Sequence, residues 1–163
     1  MLDHGRVEVS ISARQVSFYN NDGERAATFP IGVGSSEWPT QTGEWHFYQI
    51  DFNPDWTPPE EGWASDSEYK EPGHPDNPMG RLRMVYDPPR SIHGTDDEES
   101  IGSAESHGSI RIANENGYEL ARFIMEASGE GRSSDFFDRV RNNESGMVTV
   151  ELSSPVPIRV RQE

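Results

Sequence analysis

A chain of 163 residues without internal repeats is sized for a single domain, residues 1–163, with a core of its own. It has no cysteine, which excludes disulfides and thiolate metal sites, and its five histidines (His4, His46, His74, His93, His107) are too scattered to spell a zinc signature. A formal net charge of −15, with Lys70 the only lysine, argues against nucleic acid as a partner, and no apolar run reaches the length of a membrane span.

Val7, Val9 and Ile11 alternate with Glu8, Ser10 and Ser12, the period of a half-buried strand. Val16 and Phe18 mark a second strand, Asn20-Asn21-Asp22-Gly23 a turn, and Ala27 to Val33 a third strand returning beside the second. The loop Pro39-Thr40-Gln41-Thr42-Gly43 leads into an aromatic strand from Trp45 to Ile50. From Asp51 to Gly80 six prolines exclude regular structure, while Trp56, Trp63 and Tyr69 supply large anchoring surfaces. Long irregular segments inside small domains are usually functional, so 51–80 reads as a lid or groove wall; a surface excursion packed down by its tryptophans is the alternative. Leu82, Met84 and Tyr86 alternate in a further strand that Pro88 and Pro89 end, and Ser91 to Gly94 is short and extended. The acidic run Asp96 to Glu99 reads as a solvated loop.

Leu120, Phe123, Ile124 and Ala127 recur at helical spacing, predicting an amphipathic helix over 114–127 that is capped by Asn114 and stopped near Gly129. A weaker helical segment surrounds Phe136, Phe137 and Val140. Val148, Val150 and Leu152 form a strand, and Val156, Ile158 and Val160 the last one, which Pro155 and Pro157 should confine to an edge or a strand start. The fold class is mainly β with one good helix.

Chemistry is concentrated between Ile92 and Arg111. Ser109 is a candidate nucleophile: Gly108 before it permits close backbone approach to a substrate, and amides there could form an oxyanion hole. His93 or His107 could supply the base, since imidazole changes charge near neutral pH; two structurally buried histidines are the plainer alternative. His46 reads as a packed or surface histidine and His74 as loop surface.

Together these residues carry a resemblance. Pro39-Thr40-Gln41-Thr42-Gly43, Asn53-Pro54 with Trp56, Asn77-Pro78-Met79-Gly80, Ile92-His93-Gly94-Thr95, Ser100-Ile101-Gly102 and Ser106-His107-Gly108-Ser109-Ile110-Arg111 make the chain resemble, nearly end to end, the catalytic domain of the L,D-transpeptidases, the YkuD fold. That resemblance implies a β-sandwich or partly closed mixed sheet, with the helix following the catalytic motif. It implies acyl transfer on peptidoglycan stem peptides: a thiolate attacks the carbonyl before D-alanine, expels it, and an amine takes the acyl group to give a 3→3 cross-link. His93 would be the general base, Ser106 and His107 would shape the site, and amides near Gly108 and residue 109 would hold the oxyanion. Arg111 would orient the motif or meet a substrate carboxylate, with Thr95, Trp56 and Trp63 supporting substrate binding. No cofactor or metal is implied. Carbapenem-type inhibitors would be partners when the cysteine is present, and an extracytoplasmic, cell-envelope or periplasmic location follows, with an export signal expected before Met1 in the full gene product.

One departure outweighs the matches: the family nucleophile is cysteine and this chain has Ser109. A thiol is partly ionised at neutral pH, whereas a serine hydroxyl reacts only while a base removes its proton. The expectation is a domain that binds substrate but turns it over very slowly or not at all. Three origins stay open for Ser109: an engineered cysteine-to-serine change, a natural variant that keeps the site for binding, and a serine enzyme with a repurposed pocket. The alternative function is a non-catalytic peptidoglycan-binding pseudoenzyme. Arg81, Arg83, Arg90 and Arg111 would have to face the groove for so acidic a domain to hold an anionic partner. A salt-tolerant source is a further expectation from the charge.

Overall fold

Alternation of apolar and polar residues sets most of the strands, and their partners close the sheet on itself. The computed structural model describes residues 5–58, 68–88 and 90–163. In chain order its elements are β1 (Arg6–Ser10), β2 (Gln15–Tyr19), β3 (Arg25–Gly34), β4 (Gly43–Phe52), β5 (Leu82–Asp87), β6 (Arg90–His93), β7 (Ala104–Ser106), β8 (Ile110–Ile112), α1 (Asn114–Ser128), α2 (Ser134–Arg141) and β9 (Val148–Arg161). The sheet order is β2-β1-β9-β4-β5-β6-β8-β3-β7, and β2 also pairs with β3. That last pairing closes a mixed ring of eight strands, with β7 attached beyond it. Closure is possible because β3 is long enough to serve three neighbours: Arg25 to Pro30 lie along β2, Ile31 and Gly32 along β8, and Val33 and Gly34 along β7. The ladders are antiparallel except β1 with β9, β3 with β7 and β6 with β8, which are parallel.

The core is the inward face of that ring plus one face of α1. Val7, Val9, Ile50, Leu82, Met84, Ile92, Ile110 and Ile112 are fully buried, as are Leu120, Ala121, Ile124 and Met125 of α1. Each large aliphatic side chain buried in this way contributes roughly 1.5–3 kcal/mol. Phe123, which the helical spacing placed on the core stripe, is only partly buried and stacks on Phe18 with ring centroids 5.1 Å apart. Helix α1 ends as expected at Gly129, which is left-handed at φ 85°. Helix α2 buries Phe137 and Val140, and Phe136 and Phe137 meet the Phe52 ring edge-on.

Two expectations are corrected. The strands read at 148–152 and 156–160 are one continuous strand, and β9 is not an edge: it lies between β1 and β4. Its prolines are accommodated because the β4 register slips between Phe47, opposite Val156, and Gln49, opposite Glu151, which leaves Pro155 outside the ladder. Pro157 lies just before β1 joins at Ile158. The second correction concerns Asn114. It is the first residue of α1, its side chain does not cap the helix, and the position before it is Ala113.

Candidate functional site

Strands β6 and β8 run parallel and in register, Ile92 beside Ile110 and His93 beside Arg111. Since side chains alternate across a sheet, Ile92 and Ile110 enter the core and His93 and Arg111 share the opposite face. Ser106 ends β7, and the loop from there to β8 holds His107 to Ser109. Ser106 is buried, and its hydroxyl donates to the Ser109 carbonyl at 2.5 Å and accepts from the Gly108 amide at 3.3 Å. Gly108 has φ 110°, a conformation suited to glycine, and this turn presents residue 109 at the head of β8. The Ser109 hydroxyl accepts a long bond, 3.4 Å, from the amide of Ser91 on β6. Ser91 and His93 lie on one face of β6, so Ser109 adjoins the strand that carries His93.

His93 is 4% exposed, and its Nδ1 lies 2.5 Å from the Gly94 carbonyl oxygen. A carbonyl only accepts, so Nδ1 carries the hydrogen and Nε2 holds the basic lone pair. Burial lowers the imidazole pKa to about 4; the Gly94 carbonyl opposes this, and the Arg111 and Arg83 charges add to it. The ring is therefore neutral at pH 7, with Nε2 unprotonated.

The sequence motifs brace this site. Gly34 donates to Thr40 Oγ1 at 2.8 Å, pinning the Pro39-Thr40 loop to the end of β3, and a Cβ at Gly34 would lie 2.1 Å from the Trp38 carbonyl. That loop places Trp38 edge-on to the exposed His107 at 5.7 Å. Asn77 is fully buried, donates to the Pro54 carbonyl and accepts from the Met79 amide, which joins Asn53-Pro54 to Asn77-Pro78-Met79-Gly80. Asn114 accepts from the amides of Arg81 and Thr95 and donates to the Thr95 carbonyl. It thereby ties the end of the 51–80 segment and the exit of β6 to the start of α1.

A family model described as the L,D-transpeptidase catalytic domain (YkuD) matches residues 4–157. The chain belongs to this family. Among L,D-transpeptidases, it is 34% identical over 105 residues to a putative L,D-transpeptidase of Fuscovulum blasticum, covering 63% of this chain and 56% of that protein. It is 25% identical over 171 residues to the probable L,D-transpeptidase YbiS of Escherichia coli K12, covering 94% of this chain and 52% of that protein. The chain thus spans about half the length of these relatives. In structure it resembles a cysteine-to-serine mutant of the Enterococcus faecium L,D-transpeptidase, with a TM-score of 0.59, 18% identity, and coverage of 98% of this chain and 50% of that one. It also resembles the L,D-transpeptidase LdtMt1 in complex with imipenem, with a TM-score of 0.54, 18% identity, and coverage of 98% and 59%.

Of the L,D-transpeptidase site residues expected from the sequence, His93, Arg111, Ser106, Gly108 and Ser109 come together across β6, β8, the end of β7 and the loop between β7 and β8. Thr95 is buried, with its hydroxyl bonded to the Asp97 backbone, so it closes the turn after His-Gly. Trp56 is also buried and forms an isolated bridge with Lys70. Trp63 lies outside the described residues, as does the middle of the 51–80 segment. The four arginines divide. Arg81 donates to Asn53 and to the carbonyls of Val140 and Arg141, satisfying the C-terminus of α2, and Arg90 pairs with Asp87. Arg83 and Arg111 flank His93 in register on either side. Sequence reading missed Asp51, a fully buried carboxylate beside Arg83; its only signal was polar alternation with Gln49 along β4.

Proposed function

We propose that this domain acts on peptidoglycan stem peptides by acyl transfer and that Ser109 occupies the nucleophile position. The observation that carries the reading is the 2.5 Å contact of His93 Nδ1 with the Gly94 carbonyl, which takes the Nδ1–H and leaves Nε2 as the basic nitrogen, on the strand that neighbours the one residue 109 heads. As a nucleophile at 109 attacks the carbonyl between the third-position diamino acid and D-alanine, its proton passes to Nε2. The amides near Gly108 and Ser109 take the charge that develops on the carbonyl oxygen. Breaking the C–N bond returns that proton to the departing D-alanine amine. An incoming amine then attacks the acyl-enzyme, loses its proton to His93 and forms the 3→3 cross-link, which regenerates residue 109. Arg111 lies within one strand spacing of His93 and suits a substrate carboxylate. The place of action is extracytoplasmic, where peptidoglycan lies.

With serine at 109 the first step lacks a thiolate, and turnover falls by up to about a millionfold, the cost of losing a nucleophile in comparable acyl-transfer sites. The long bond from Ser91 to the Ser109 hydroxyl favours a second reading, a domain that binds stems without cleaving them. Intact mass after incubation with a disaccharide-tetrapeptide or imipenem separates the two, run on this chain and on Ser109→Cys. The enzyme reading expects an adduct on the cysteine form alone. No adduct on either form, with muropeptide binding intact, leaves the binding domain.

A further inference from the structure

One row of side chains crosses the outer face through five neighbouring strands: Thr149 (β9), Asp51 (β4), Arg83 (β5), His93 (β6) and Arg111 (β8) are successive register partners. Asp51 is built in. Its side chain is 1% exposed; one carboxylate oxygen accepts from Gln49 Nε2 at 2.9 Å and Thr149 Oγ1 at 2.8 Å, and the other accepts from Arg83 Nε at 2.6 Å. A buried carboxylate is costly unless fully paired, and replacing such a pair with apolar residues is often neutral or better for stability. Folding alone therefore gives little reason to place one here. What the anchor does is fix the Arg83 guanidinium, 30% exposed on its side chain, next to the base through a single Nε bond. Its terminal nitrogens point no bond at Asp51.

From this arrangement, and resting on the acyl-transfer reading, we infer that Arg83 binds the C-terminal carboxylate of the donor stem peptide and that Asp51 is the positioning residue that holds Arg83 in place. In a tetrapeptide that carboxylate lies one residue beyond the attacked carbonyl, about 3.5 Å along an extended chain. Neighbouring strands are about 4.8 Å apart, so a carbonyl placed at His93 brings the carboxylate within reach of the β5 guanidinium. A planar fork suits a carboxylate, and pinning one of its nitrogens reduces the entropy lost on binding. The specificity this confers is for stems with a free terminal carboxylate over those ending in an amide or a further residue.

The test is isothermal titration of this chain, Ser109 retained, with a synthetic stem tetrapeptide ending in D-alanine and with its C-terminal amide. The carboxylate form should bind at least about tenfold more tightly, as expected for one charge-assisted bond pair. Arg83→Met and Asp51→Asn should both collapse that ratio to below about threefold, and Arg83→Lys should keep part of it. A merely structural role for the pair would weaken both peptides equally and leave the ratio intact, which overturns the inference. So does an absence of discrimination, or of binding, in the parent chain. Acylation of Ser109→Cys reports separately on the acyl-transfer reading, so a cysteine form that acylates while Arg83→Met keeps the full preference defeats this inference alone.

Discussion

A histidine that is almost wholly buried beside two guanidinium groups resists protonation, and this gives His93 a stability signature apart from chemistry. Its pKa falls from 6.5 to about 4, chiefly through burial. The unfolded chain therefore binds a proton between those values that the folded chain does not. The neutral ring's contribution is present above pH 6.5 and is lost as pH falls toward 4. At roughly 1.4 kcal/mol per unit, the loss is about 3 kcal/mol. Urea unfolding at pH 7.0 and 4.5 should show most of this drop in the parent chain. In His93→Gln, which keeps a donor for the Gly94 carbonyl, the drop should shrink by that amount; equal slopes in the two proteins would show that carboxylates alone govern acid lability. Arg83→Met, by removing one positive neighbour, should move the His93 titration upward, which NMR of the ring protons would read directly.

The junction between β5, β6 and α1 depends on one amide side chain threaded between two glycines. Asn114 reaches the Arg81 amide at 3.0 Å and the Thr95 amide at 3.3 Å, and a Cβ at Gly94 would lie 2.0 Å from its oxygen. A Cβ at Gly80 would lie 2.4 Å from the same atom. The His93-Gly94-Thr95 motif thus owes its glycine to Asn114. Asn114→Ala strips partners from two part-buried amides and should cost about 1–3 kcal/mol in thermal unfolding. Gly94→Ala should cost more, and the double variant Gly94→Ala/Asn114→Ala less than the sum of the two, because the clash disappears with the side chain. Additive losses would remove Asn114 as the cause. None of this was legible in the sequence. An asparagine at a helix start reads as a cap, since capping is local, whereas its actual partners are 19 and 33 residues away in the chain. Strand periodicity, the turn at Asn20 to Gly23, the Gly129 stop and the motif carrying His93 and Ser109 were all legible because their signals are local. The central position of β9 was not. Its prolines argue for an edge until the register slip opposite Tyr48 is known, and a slip is a property of two strands. Asp51 was hidden likewise: a carboxylate in an alternating strand reads as solvated, and only Arg83, Gln49 and Thr149 make its burial tolerable.

At the scale of the whole molecule, 29 acidic side chains stand against 14 basic ones on a fold whose ring leaves few free edges. Several of the basic ones are committed locally: Arg83 to Asp51, Arg90 to Asp87, Arg81 to the end of α2, and Arg6 and Arg161 both to Glu8. The remaining negative charge is therefore poorly compensated, and it repels itself more strongly in the compact state than in the extended one. Salt acts on two opposing terms. It screens the exposed pairs, which are worth little at any ionic strength, and it screens the summed repulsion, which grows with net charge; the buried Asp51–Arg83 pair is screened least. Repulsion should win, so the unfolding temperature should rise between 0.05 M and 1 M NaCl by an amount equivalent to about 1 kcal/mol, roughly 2–4 °C for a domain of this size. Calorimetry at fixed pH 7.5 measures it, and a sodium sulfate series matched in ionic strength separates the causes, since screening gives the same rise and salting-out a larger one. A flat or falling curve in NaCl would mean that the local arginine pairs already balance the surface, and would withdraw the case for a salt-tolerant source.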